Sequence, residues 1–193
     1  MTDILKFKVE LNEFEDVLFR EIEISESDSV STLVYAVMSA FSCFGCKLFA
    51  VEHNTVRYET ELEDMGCFGD EKILNPAESK ISSMALNIND AFTMEYDYGA
   101  DWLFKITLIG THEAEKDVNY PIITRGKGKG IIEDSCPEEL HAIIKNIDET
   151  GEYYSCFDYA NNENILWDYK DFDLSKYNKF LHEDIEILRE QYE

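Results

Sequence analysis

The sequence predicts an α+β protein built on a mixed or mostly antiparallel sheet, and three observations carry that prediction. Apolar and polar residues alternate over 4–11, 17–24 and 102–108, the two-residue period of a strand with one face against a core. Leu33, Val34, Val37, Ala40 and Phe41 recur at the spacing of a helix face. Leu174, Tyr177, Leu181, Ile185 and Leu188 do the same near the other end of the chain.

Taken in order, residues 4–11 and 17–24 form an opening hairpin joined across 12–16. A polar break over 25–29 precedes a helix over 30–41, with Asp28 or Ser29 as its cap. Residues 48–53 read as a third strand, which 55–59 either continues or returns. Hairpin, helix and strand together make a β-grasp-like start. Residues 64–88 are loop-rich, with Asn75-Pro76 as the clearest breaker. Residues 92–109 form a second hairpin in the same sheet, its turn made by Gly99 with a positive φ and its tip flanked by Asp97 and Asp101. Residues 111–134 form a long excursion, most flexible at 125–130. Pro137 opens a helix through Asn146, and Glu138 and Glu139 suit its positive end. A short helix over 153–160, a loop over 161–164 and an amphipathic helix over 174–192 complete one domain spanning 1–193. The helices are expected on one face of the sheet, with C-terminal helices closing the core.

A chain of 193 residues with 45% hydrophobic and 13% aromatic content has enough apolar surface for a full core. Its 41 acidic and 17 basic residues give a net charge of -24, which repels phosphate backbones and removes the counterion-release term of nucleic-acid affinity. Direct nucleic-acid binding is therefore disfavoured, whereas a basic protein partner or a divalent cation suits the charge. No stretch approaches the ~20 apolar residues of a membrane helix, and Met1-Thr2-Asp3-Ile4 does not open a signal peptide. A cytoplasmic protein without membrane contact is expected, and nothing in the pattern sets an oligomeric state. The five cysteines read as reduced thiols, with no structural disulfide.

Four clusters carry candidate chemistry. Cys43-Phe44-Gly45-Cys46 has the spacing of a redox pair or half a zinc site. It follows a helix instead of opening one, so small residues in a helix-to-strand turn are the expectation. The run Arg125-Gly126-Lys127-Gly128-Lys129-Gly130 has backbone amides and lysines suited to an anion, with Lys127 as the candidate, but it lacks the Gly-Lys-Ser/Thr ending of a phosphate loop. Asp97, Asp101, Glu133 and Asp134 suit Mg²⁺, Mn²⁺ or Ca²⁺ if the excursion folds over the hairpin tip. Otherwise Asp97 and Asp101 bond the turn's own amides, while Glu133 and Asp134 precede and cap the next helix. Trp102, with Tyr96, Tyr98 and Phe104, reads as cross-strand packing before a ligand cage. The histidines fall in unrelated segments and no nucleophile turn is present, so no catalytic residue and no cofactor is assigned.

Tyr96-Asp97-Tyr98-Gly99-Ala100-Asp101-Trp102 resembles the Tyr-Asp-Phe-Gly-Asp-x-Trp signature of the plasmid pRiA4b ORF-3-like family. Tyr120-Pro121, Gly126-Lys127-Gly128, Glu133-Asp134 and Phe172-Asp173-Leu174 fall in that family's order, as do the opening strands and Ala40-Phe41. Four positions depart from the pattern. Ala100 replaces an acid, Ile131-Ile132 a proline pair, Cys136-Pro137 a glycine pair, and Lys47 a histidine. The resemblance implies no established activity, and the mobile-element association of some members comes with it only as an association. The expectation is a non-enzymatic acidic accessory or interaction protein. Two alternatives stand beside it: a metal-dependent enzyme acting on phosphate-containing substrates, and an acidic decoy for a DNA-binding protein.

Overall fold

The computed structural model describes residues 3–44, 47–60, 72–158 and 162–193. The opening hairpin pairs β1 (Asp3–Leu11) with β2 (Phe19–Ser25), and its alternation turns Phe7, Val9, Ile22 and Ile24 into the core. Lys6, Lys8, Glu21 and Glu23 take the opposite face, where Lys6 Nζ lies 3.0 Å from Glu21 and 3.5 Å from Glu23. Helix α1 (Val30–Phe41) begins where the Ser29 hydroxyl accepts from Thr32 N at 3.1 Å and ends at Ser42, whose φ is 62°.

The rest of the main sheet comprises β3 (Phe49–His53), β4 (Val56–Tyr58), β5 (Lys72–Leu74), β6 (Ala91–Tyr96), β7 (Trp102–Glu113) and β8 (Ile122–Lys127). The strand order is β5-β4-β3-β6-β7-β1-β2-β8, and among the described residues only β4 and β5 run parallel. The start keeps its order of hairpin, helix and strand, with the β6–β7 hairpin seated between β1 and β3. After β8 come α2 (Pro137–Thr150), a separate ribbon of β9 (Tyr154–Asp158) and β10 (Glu163–Trp167), and α3 (Leu174–Tyr192).

Every residue of α1 is buried, because both of its sides are covered. Towards the sheet Phe41 meets Phe104 with ring centroids 5.0 Å apart. Towards α3 the Ser39 hydroxyl donates to Asp184 at 2.7 Å and Tyr35 stacks on Tyr192. α3 contributes Leu181, Ile185 and Leu188, one stripe at helical spacing.

Three local expectations are corrected. The turn of the second hairpin takes its positive φ at Asp97 (56°) and Asp101 (58°), not at Gly99; short polar side chains tolerate this region when they bond the local backbone. The segment 153–160 is not helical over its described part, since Tyr154–Asp158 is β9. Its Tyr and Phe prefer a pleated ribbon to a helix, and β10 supplies the pairing. The excursion over 111–134 is in part sheet, for β7 runs on to Glu113 and β8, Ile122–Lys127, pairs with β2.

Within that excursion the glycine-rich run is anchored by Arg20, which lies in phase with Ile22 and Ile24 and is fully buried. Its five N–H groups all meet backbone carbonyls: Ala40 (2.9 Å), Phe19 (2.9 Å), Lys127 (2.7 Å), Gly128 (2.8 Å) and Lys129 (3.1 Å). The guanidinium lies 4.8 Å from the ring centroid of Phe41 and 4.4 Å from that of Phe172. Burial lowers its pKa to about 10, which leaves it charged at neutral pH, and it makes no carboxylate pair among the described residues. Gly128 and Gly130 have φ of 75° and 135°, and a Cβ on Gly130 would sit 2.3 Å from the Phe41 carbonyl oxygen.

Candidate functional site at the hairpin tip

The tip of the β6–β7 hairpin and the loop leading into α2 enclose an open hollow of about 280 Å³. Asp97 is fixed through its backbone, donating to the Leu48 carbonyl and accepting from Ala100 and Asp101 amides, each at 2.9 Å. Its Oδ1 accepts from Gly99 N at 3.1 Å, an Asx-type bond that closes the turn. Opposite, Ile131 N donates to the Phe41 carbonyl at 2.9 Å, which ties the loop to the end of α1. Glu133 follows, half-buried, with Oε1 accepting from the Tyr96 hydroxyl at 2.7 Å and Oε2 from Phe44 N at 2.9 Å.

Lys47 lies between the two walls, its ammonium 3.0 Å from Asp134 Oδ1 and 3.5 Å from Asp97 Oδ2. The hydrogen bond to Asp134 and the charge of Asp97 raise its pKa, so it stays cationic. Burial raises the pKa of Glu133 above the usual carboxylate range, its two hydrogen bonds opposing the shift. Beneath it Cys43 is fully buried, and desolvation reinforced by Glu133 pushes its thiol well up, away from thiolate chemistry. Cys46, the other half of that pair, lies outside the described residues.

The carboxylates therefore come together only in part. Asp97 and Asp134 share Lys47, and Glu133 supports the floor from beneath. Asp101 does not line the hollow and instead acts on the charge of Glu95. Trp102 is 1% exposed and belongs to the core, paired across the hairpin with Tyr96. Lys127 sits at the far end of β8, its ammonium donating to the Asp16 carbonyl at 2.5 Å. Among the described residues no group of three or more His, Cys, Asp and Glu is placed to hold a metal ion. The histidines lie apart, His112 against Glu23, His141 against Glu13 and His182 against Asn119. Sequence reasoning missed Lys47 as a site residue, although its lone cationic charge before β3 was a visible signal.

This fold and hollow define an α+β domain with an acidic, lysine-filled tip. A family model described as plasmid pRiA4b ORF-3-like protein matches residues 3–176, and the chain belongs to that family. Its fold is shared with a protein of unknown function from Methanosarcina mazei Go1. The two are 17% identical, with a TM-score of 0.74 over 91% of this chain and 96% of that one. No curated protein matches the chain. Among the described residues no helix is long and apolar enough to cross a membrane. Lys47, Ala100 and Cys136 all line this hollow.

Proposed function

We propose that this is a non-enzymatic cytoplasmic accessory protein that binds a basic protein partner; any tie to mobile elements would follow the family association. The observation that carries the reading is Lys47. The carboxylates a catalytic cation would need already hold an ammonium of the chain itself, at 3.0 and 3.5 Å. An ion of higher charge would have to displace that lysine and find further oxygen ligands, since Mg²⁺ and Ca²⁺ take six or more. The unspent negative charge lies elsewhere on the molecule and favours a cationic macromolecule.

Calorimetry tests both halves. Chelator-stripped protein is titrated with Mg²⁺, Mn²⁺, Ca²⁺ and Zn²⁺, and separately with a synthetic peptide alternating Arg or Lys with Leu. The expected result is saturable peptide binding that weakens as salt rises, and no stoichiometric metal binding. One-site metal binding abolished by Asp97→Asn would overturn the non-enzymatic half. Equal heats for the same peptide with Glu in place of its cations would overturn the basic-partner half.

A further inference from the structure

We propose that the β9–β10 ribbon is the surface on which the basic partner docks, and that it takes a segment carrying both cationic and apolar side chains; this rests on the reading above. Of the nine large exposed apolar side chains among the described residues, four lie on or beside the ribbon. They are Tyr153 (58%), Tyr154 (42%), Phe157 (40%) and Leu166 (66%). The ribbon is rooted by Trp167, which is 2% exposed and pairs with Tyr154. Ser155 faces Leu166 across the ribbon, so by the two-residue period Phe157 stands on the same outward face.

Charge complementarity names the occupant. Residues 146–169 contain Asp148, Glu149, Glu152, Asp158, Glu163 and Asp168, and no lysine or arginine. Elsewhere part of the acidic charge is paired within the chain, and on this side Lys145 lies 3.8 Å from Glu149. On the open face of the main sheet Glu21 is shared by Lys6 and Arg125, and Lys8 holds Glu10 at 2.6 Å. On the ribbon side Asp148 is taken by Tyr169 and Lys170, whereas Glu152 and Glu163 make no ion pair among the described residues. A single local pair shows how such a surface takes a cation: the Lys170 ammonium sits 4.9 Å from the Tyr169 ring centroid while bonding Asp148 at 2.8 Å. The exposed tyrosines and acids of the ribbon offer that combination to an incoming lysine or arginine, and Leu166 offers contact to its apolar neighbours.

The same Arg/Lys-Leu peptide is titrated into wild type, Tyr153→Ser/Leu166→Ser, Glu152→Gln/Glu163→Gln, and a control, Glu13→Gln/Glu15→Gln, on the β1–β2 turn. The first variant is expected to weaken binding roughly tenfold or more. The second should weaken it and flatten its salt dependence, and the control should match wild type. All substituted side chains are exposed, and matching thermal midpoints verify folding. Wild-type binding that both ribbon variants retain, or that the control loses equally, overturns the ribbon and leaves the basic-partner reading standing. Absence of wild-type binding overturns both.

Discussion

At the scale of single residues, Arg20 ties together three parts of the chain that do not adjoin in sequence: β2, the end of α1 and the run from Lys127 to Lys129. Its charge is answered by carbonyl dipoles and aromatic faces, so replacement costs more than one hydrogen bond. Arg20→Met strands five carbonyl partners in a dry site, and the expected loss is about 3 kcal/mol or more in urea-denaturation midpoint analysis. Arg20→Lys retains the charge but loses the planar fork, and falls between the two. A loss under about 1 kcal/mol for Arg20→Met would refute this account of the residue. The sequence displayed Arg20 in the inward phase of β2, but three of its five carbonyl partners lie over 100 positions away, at |i−j| of 107 to 109, where no local pattern reaches.

At the scale of elements, two glycines invert the sequence-based expectation. Gly99 reads as the turn's essential residue, yet the left-handed positions are aspartates and a Cβ there would approach only Asp97 Oδ1, at 3.4 Å. Gly99→Ala is therefore expected to stay within about 0.5 kcal/mol of wild type. Gly130→Ala combines a φ of 135° with a backbone clash at 2.3 Å and should cost roughly 1–3 kcal/mol, read by the same denaturation midpoints. Elements with long, regular periodicity were legible: β1, β2, α1, the β6–β7 hairpin and α3. β8 was hidden because its end is a glycine-lysine run whose order comes from Arg20. β9 was hidden because a short aromatic stretch suits helix and strand alike until its partner strand is known. The hollow was half legible: Asp97, Glu133 and Asp134 were visible as acids, but the fold alone sets Lys47 between two of them and turns Asp101 away.

At the scale of the whole molecule, the charge of -24 and the half-buried acids act in one direction. Burial raises the pKa of Asp28, Glu95, Glu133 and Asp184, so each is harder to ionise in the fold than in the unfolded chain. Their contribution is full below the unfolded value of about 4 and declines as pH rises through the raised folded values. His112, raised by its bond to the Glu113 carbonyl and by Glu23, likewise stabilises below about pH 6.5 and loses this above it. The thermal midpoint is therefore expected to be higher near pH 5.5 than near pH 8 at fixed ionic strength, and to rise with added NaCl at pH 8. Asp184→Asn, which keeps an acceptor for Ser39, should reduce the slope; a midpoint that climbs with pH would contradict the assignment.

The burial of α1 on both sides has a bearing on how the chain is made. Residues 30–41 are synthesised well before α3, residues 174–192, which covers one of their two sides. Over the intervening stretch the nascent protein holds an apolar helix against an unfinished shell, open to chaperones and to neighbouring chains. The family match stops at residue 176, inside the first turn of α3, so an expression fragment trimmed to that boundary would keep this nascent exposure permanently.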